Sequence, residues 1–243
     1  MDAVAMRTGY EEVGSPDVSG FVTEDDTPVD NFAQEKQQRL LTESLYSSGY
    51  APPVAEDGCP RPFIAAANVG LYGTLKDDPL VPDVLLSLDV EIAKDWWAKR
   101  NRVYMVWEMG KLPDVVIEIV SNNEGDELGA KRRRYAKMKI PHYVVWDPQE
   151  LLGDKMLHVF ELRGDLLVPT ESHFFASVGL GLVAWKGVFE GRHELWLRWR
   201  TADGRLLPTG AERADAAQSR ADAAEAHAAR LAAKLRDLGI SLD

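Results

Sequence analysis

Residues 31–46 place Leu40, Leu41 and Leu45 on one side of a helical repeat, with polar groups elsewhere, which predicts an amphipathic helix. Ser47-Ser-Gly-Tyr-Ala-Pro-Pro then predicts a loop. From Phe63 onward the period changes. Short apolar runs broken by Gly, Pro and charged residues predict strands within Phe63–Tyr72, at Asp83–Leu88, at Arg102–Trp107 and at Asp114–Val120. Helical spacing returns over Asp126–Met138, and a strand at His142–Asp147 follows, stopped by Pro148. Leu157–Leu162 and Leu166–Pro169 make a predicted hairpin across Arg163-Gly-Asp, and Leu195–Trp199 is a predicted closing strand. A helix, a run of strands, a second helix and further strands indicate an α/β (α+β) sheet domain.

The two ends follow other patterns. Residues 1–28 are acidic, poor in large aliphatics and interrupted by Gly and Pro, which predicts a disordered or loosely docked arm. The sheet domain then occupies residues 29–203 and the tail residues 204–243. In the tail, Ala214, Ala217, Ala221, Ala224, Ala228, Leu231, Leu235 and Leu238 alternate steps of three and four, a heptad seam that Gly239 ends. Alanine buries little surface. Self-association through residues 211–239 therefore rests on the Leu-bearing half, the alternative being a lone helix or one packed on the domain.

A chain of 243 residues accommodates one large domain, or one domain with appendages, and can bury a sizeable core. No stretch approaches the roughly 20 apolar residues of a membrane span, and the first residues lack the apolar run of a secretory signal, so a cytoplasmic location is expected. Cys59 stands alone, which excludes an intrachain disulfide and a multi-cysteine zinc site. The net charge of −11 argues against a generally sticky nucleic-acid binder. It is unevenly spread: residues 1–30 hold eight acids and one base, whereas Lys131, Arg132, Arg133, Arg134, Lys137 and Lys139 crowd one helix. That cluster could hold a phosphate backbone, but a solvated face near a helix C-terminus accounts for Arg132–Arg134 more simply.

The chemistry concentrates around that helix. Leu128, Lys131, Tyr135 and Met138 follow a 3-4-3 spacing, so Lys131 lies in a stripe that is otherwise apolar or aromatic. An inward ammonium needs a carboxylate or an anion to receive it, unless its stem packs while its tip reaches water. Thirteen residues upstream, Glu118 interrupts the apolar run Val115–Val120. Pro82-Asp83 and Pro113-Asp114 begin two of the strands. Asp114 and Glu118 share a strand face but lie about 13 Å apart at ~3.3 Å per residue, too far to ligate one ion. If the two strands pair, Asp83 can approach Glu118 within about 5 Å. Two carboxylates so placed call for a cation, and magnesium or manganese suits an all-oxygen site. With Lys131 beside it, such a site has the equipment for metal-assisted phosphodiester hydrolysis. The five histidines show no ligand spacing, and the seven tryptophans, Trp96-Trp97 included, suit packing better than base stacking. Gly179-Leu-Gly-Leu is a turn before a strand, without the context of a phosphate loop.

Val81-Pro-Asp-Val-Leu-Leu, Lys111-Leu-Pro-Asp-Val-Val-Ile-Glu-Ile-Val-Ser121, then Asp126, Lys131 and Tyr135, then Ile140-Pro-His-Tyr-Val-Val-Trp-Asp-Pro148 resemble, in order and spacing, the Uma-type restriction endonuclease family of the PD-(D/E)XK nuclease superfamily. The resemblance covers residues 30–200, and the Ala-rich tail also looks like tails found in that family. It implies a restriction-endonuclease-like mixed central sheet flanked by helices, Mg2+ (or Mn2+) as cofactor and DNA as substrate. By position, Asp83 resembles the first metal ligand and Glu118 the second. Val120 stands where the superfamily has its lysine, and Lys131 matches the family's lysine on the following helix. Tyr135 and Asp126 match family positions as supporting residues, Asp126 with a helix N-cap as its alternative role. The superfamily also implies a first-helix carboxylate, for which Glu35 and Glu43 are candidates. Ser121-Asn-Asn-Glu and Trp146-Asp-Pro depart from the commoner family turns without removing a candidate ligand.

Two functions follow from different classes. One is a Mg2+-dependent endonuclease, whether or not a mobile element carries it. The other is a catalytically silent nuclease-fold module that assembles through its C-terminal helix.

Overall fold

The computed structural model describes residues 31–54, 58–76, 78–121 and 126–237. The predicted arm over residues 1–28 and the end of the tail, Leu238 and Gly239, lie outside them. In chain order the elements are α1 (Phe32–Ser47), β1 (Phe63–Ala67), β2 (Leu71–Tyr72), β3 (Val84–Leu88), β4 (Tyr104–Met105), α2 (Val106–Met109) and β5 (Val115–Ile119). There follow α3 (Arg132–Met138), β6 (His142–Trp146), β7 (Leu157–Arg163), β8 (Leu166–Pro169), β9 (Phe174–Phe175), β10 (Leu180–Phe189), β11 (Arg192–Arg200) and α4 (Gly210–Asp237).

A six-stranded sheet in the order β1-β3-β5-β6-β7-β8 forms the centre. All its pairs are antiparallel except β5 with β6, whose parallel pairing requires the crossover that α3 supplies. A mixed sheet with helices on its faces is the expected α+β, restriction-endonuclease-like arrangement. Both faces are covered, so β3 and β5 are buried along their whole lengths rather than alternating. On one face Leu86, Ile117 and Val144 pack with Leu41 and Leu45 of α1 and with Leu197 and Trp199 of β11. On the other, Leu85, Val116 and Val145 pack with Tyr135 and Ala136 of α3.

Helix α1 begins at a capping box, Asn31 accepting from the Ala33 and Gln34 amides while Gln34 returns a contact to the Asn31 amide. Its inward stripe is not wholly apolar: Gln34, Gln37 and Gln38 are buried with Leu40, Leu41 and Leu45. Two of the glutamines satisfy strand backbone, Gln34 donating to the Ile119 carbonyl. Gln37 donates to the Leu197 carbonyl and accepts from its amide, both at 2.9 Å, closing the free edge of β11, the outer strand of the sheet β11-β10-β9. Trp199 donates its indole N–H to the Leu41 carbonyl from the same strand.

The predicted strand at Arg102–Trp107 shrinks to Tyr104–Met105, which pairs in parallel with β2 before the chain turns into the four-residue α2, ended by Gly110 at φ 75°. An apolar run too short to show a period cannot separate these conformations. The predicted closing strand is one arm of a long hairpin, Gly181 to Phe189 facing Arg192 to Arg200. The tail is a helix as expected. Its base is tied down by Glu43 accepting from the Gly210 amide and by Arg198 paired with Glu212, whereas the seam residues Ala214 to Ala228 are exposed and Leu231 is 49% exposed. Among the described residues no helix is long and apolar enough to cross a membrane.

Gln37→Ala leaves a buried amide and a buried carbonyl of β11 without partners. At about 1–3 kcal/mol for each unsatisfied group, it should lower unfolding stability by roughly 2–4 kcal/mol in urea titrations monitored by circular dichroism.

Candidate active site

The site grows from an internal duplication of pattern. Pro82-Asp-Val-Leu-Leu-Ser-Leu88 and Pro113-Asp-Val-Val-Ile-Glu-Ile119 are alike in spacing, and they pair antiparallel as β3 and β5. Each Asp precedes its strand, and its carboxylate accepts the amide that ends the other strand. Ile119 donates to Asp83 Oδ2 at 2.6 Å, and Leu88 to Asp114 Oδ2 at 2.8 Å. The two ends differ at one position. Val84 stands opposite Ile117, so one step further Asp83 faces Glu118, whereas Asp114 faces Ser87. Asp114 is held by Lys111 at 2.6 Å and belongs to the far end of the strand pair.

Glu118 is 2% exposed, and each of its oxygens has a donor: the Tyr135 hydroxyl at 2.6 Å on Oε1 and Lys131 Nζ at 3.0 Å on Oε2. Lys131 also donates to Glu127 Oε1 at 3.3 Å. Burial, and then the charge of Asp83, push the Glu118 carboxyl up to about 7, against the opposing pull of Lys131 and Tyr135. For Lys131, burial works against the ammonium, but Glu118 and Glu127 outweigh it and leave the pKa raised. The lysine is therefore charged at neutral pH. Tyr135, whose hydroxyl burial and Glu118 hold well above its ordinary range, stays a donor. Glu118 is sealed but its neighbours are not: Asp83 is half-buried and the Lys131 side chain is 34% exposed, so the group opens to solvent on their side.

The local backbone that aims Lys131 departs from the regular helix expected over Asp126–Met138. Glu127–Lys131 forms a π turn, with the Lys131 amide donating to the Asp126 carbonyl at 3.2 Å, before α3 continues from Arg132. Asp126 sits at φ 48°, and its carboxylate accepts the Ala130 amide at 2.7 Å. A Cβ on Gly129 would come within 1.9 Å of Asp126 Oδ1, so glycine is needed for this turn to close. Glu127, Lys131 and Tyr135 consequently share the inward side, and Tyr143 supports it, donating to the Glu127 carbonyl and lying 4.9 Å from the Tyr135 ring.

The structure brings Asp83, Glu118, Lys131 and Tyr135 together. Asp126 is displaced outward, exposed and occupied as a helix cap. The first-helix carboxylates fare otherwise than expected. Glu35 is paired with Arg39 on the surface, and Glu43 holds the base of α4. The α1 residue that reaches the site is Gln38, whose amide donates to Asp83 Oδ1 at 2.9 Å and exchanges contacts with the exposed Asn68. Gln38 faces inward because it lies in the stripe of Gln34, Leu41 and Leu45, a position occupied here by a neutral side chain. Gln38, Asn68 and Glu127 were not anticipated. Glu127 was legible as the i−4 neighbour of Lys131; Gln38 and Asn68 arrive only through tertiary contacts. The basic cluster is largely committed locally: Arg132 lies over the Phe160 ring, Arg134 donates to the Asp78 and Pro79 carbonyls, and Lys139 pairs with Asp165.

Among the described residues no group of three or more His, Cys, Asp and Glu side chains is placed to hold a metal ion. The Asp83–Glu118 pair nonetheless fits a magnesium-like ion. Both donors are carboxylate oxygens on opposed strand positions, and their mutual repulsion is part of what raises Glu118. Ions of this kind are commonly held by one or two carboxylates, with water and phosphate oxygens completing the shell.

Two thirds of the chain, residues 16–178, match the model of the Uma2 family, described as "Putative restriction endonuclease", and the chain belongs to that family. Comparison with curated proteins returns no match, and neither does comparison with solved structures. The matched span contains Asp83, Glu118, Lys131 and Tyr135 and stops short of β10, β11 and α4.

Two outcomes follow. Below pH 4.5 Glu118 is protonated whether the chain is folded or not. Between 4.5 and about 7 the unfolded chain ionises it while the fold retains the proton, so metal-free protein loses stability across that window. The unfolding temperature in chelator should fall from pH 4.5 to above 7, and Glu118→Gln should flatten that slope. Asp126→Ala should cost about 0.5–2 kcal/mol of stability, as for the loss of a helix cap.

Proposed function

We propose that this member of the Uma2 family is a Mg2+-dependent endonuclease acting on DNA, with Asp83 and Glu118 holding the ion and Lys131 at the reacting phosphate. One observation carries the proposal: a carboxylate pair set face to face by strand register, with a charged lysine hydrogen-bonded to its buried member. A salt bridge meant only for stability gains nothing from a second acid opposite the first, since burial of like charges is unfavourable. The arrangement becomes favourable once a divalent cation neutralises both.

A bound magnesium or manganese ion would supply Lewis-acid stabilisation of the phosphate. The chain's own residues do the rest. Tyr135 and the Ile119 amide each fix one oxygen of the pair. Lys131 Nζ orients a water or stabilises negative charge developing on the phosphate oxygens. Glu127 is a positioning residue that keeps the ammonium over Glu118. Gln38 holds Asp83 from the helix side without adding charge.

Purified protein should therefore nick plasmid DNA with Mg2+ or Mn2+ and not with chelator. Asp83→Asn, Glu118→Gln and Lys131→Ala should each lower the rate by roughly 10²–10³-fold, the scale for removing one group that stabilises transition-state charge. Absence of cleavage on every nucleic acid tried, together with absence of metal binding by calorimetry, would overturn the proposal.

The exposed face of α4 favours assembly as a second property, and as the sole one should the site prove silent. Among the described residues its seam is exposed from Ala214 to Leu231, although the helix base is anchored by Glu43 and Arg198. A chain ending at Gln218 keeps those anchors and removes the Leu-bearing half. Light scattering should show the full chain as an oligomer and the shortened one as a monomer; identical masses would exclude the seam as the interface.

A further inference from the structure

Trp96 and Trp97, expected to pack, are instead 56% and 73% exposed, with their rings edge to face at 6.2 Å. They wall a cleft of about 390 Å³ whose floor is Ile64, Ala66 and Leu85. This volume lies within the range of small-ligand sites, roughly 300–1,000 Å³. The cleft is on the Glu118 side of the sheet, since Leu85 and Ile64 belong to the same buried cluster as Val116 and Tyr135. Its floor continues into the candidate site. Leu85 is two residues from Asp83, which directly precedes the same strand, and Ala66 stands opposite Leu85. Residues so spaced share a face about 7 Å apart at ~3.3 Å per residue. The apolar floor thus ends where the carboxylates begin.

The surroundings state what the cleft can take. The segment Lys94-Asp-Trp-Trp-Ala-Lys-Arg-Asn-Arg102 carries four bases and one acid in a chain of net charge −11. Lys94, Lys99 and Arg100 are exposed around the tryptophans. The segment is held in shape by its own backbone contacts, Asn101 donating to the Asp95 carbonyl and Arg102 to the Trp97 carbonyl. Aromatic walls on a segment rich in exposed cations complement a nucleobase attached to phosphates. A base within a duplex is already stacked and paired and cannot enter; an unpaired or extruded one can.

Resting on the nuclease reading above, we propose that this cleft receives an unpaired base of the DNA strand whose phosphate lies at Asp83 and Glu118. The base stacks on one of the two indole rings and meets the edge of the other, and Lys94, Lys99 and Arg100 face the adjoining phosphates. The enzyme would accordingly prefer DNA with a bulged, mismatched or single-stranded nucleotide next to the scissile bond.

The test is binding of full-length protein, in chelator so that no strand is cut, to three fluorescein-labelled duplexes: fully paired, with a one-nucleotide bulge, and with the same bulge made abasic. The expected result is tighter binding of the bulged duplex, quenching of tryptophan fluorescence by it alone, and loss of both with the abasic bulge. The variant W96A/W97A should bind the bulged duplex roughly 5- to 150-fold more weakly, the range for losing a base–aromatic stack, and bind the paired duplex as before. Because both side chains are largely exposed, its unfolding midpoint should match wild type. Equal affinity for the three duplexes without selective quenching would overturn the proposal, as would a W96A/W97A variant that keeps the preference. If paired plasmid is still cut with Mg2+ in that case, the cleft assignment alone has failed. If DNA of every form goes unbound, the cleft assignment falls, and cleavage of plasmid with Mg2+ decides the nuclease reading separately.

Discussion

Like charge placed face to face inside a sheet is the constraint from which the rest of this molecule can be understood. Register between β3 and β5 sets Asp83 opposite Glu118, and Glu118 is almost wholly removed from water. Such a carboxylate persists only with donors on every side. Tyr135 and Lys131 come from α3 and the π turn before it, the Ile119 amide serves Asp83 from the same strand pair, and Gln38 serves it from α1. Elements on both faces of the sheet thus converge on one pair of acids. Burial raises the Glu118 pKa to about 7, so without a cation the site sits near the point of taking up a proton. Carboxyls perturbed by burial and a facing acid cluster at functional sites.

The duplicated Pro-Asp strands illustrate how little separates a structural device from a chemical one. At both ends of the pair an Asp carboxylate closes the ladder by accepting the terminal amide of the neighbouring strand. At the Asp114 end the facing residue is Ser87, which bonds to Tyr104, and Lys111 neutralises the acid directly. At the Asp83 end the facing residue is a second acid, and the lysine comes from a separate helix through Glu118 instead. The same cap therefore serves stability at one end and becomes half of a charged site at the other.

The position of Lys131 depends on a backbone irregularity that no periodicity announces. A straight α-helix from Asp126 would still place Lys131 and Tyr135 on one side, which is why the spacing pointed to them. Glu127, four residues before Lys131, keeps to that side through the π turn, which rests on Asp126 at positive φ and on a glycine whose Cβ would meet the capping carboxylate. Asp126 thus takes the alternative role its position suggested, that of a helix cap. The first helix teaches a related lesson: charge at Glu35 and Glu43 made them conspicuous, yet Glu35 lies on the surface and Glu43 faces the base of α4, and the neutral Gln38 is the side chain that reaches Asp83.

Sequence by itself determined the order of most elements, the pairing possibility between the two Pro-Asp strands, the inward lysine and the long terminal helix, because each is written in local period and residue type. Tertiary structure decided what local period cannot encode. It selected the register that opposes Asp83 to Glu118, turned Arg102–Trp107 from a strand into a bridge and a short helix, and seated Gln38 and Asn68 beside the acids. It also left Trp96 and Trp97 in the open, where aromatic composition alone argued for burial. The physical reason is common to all of these. Periodicity records which side of an element faces inward, whereas the partner met there is set by strand register and by packing between segments far apart in the chain.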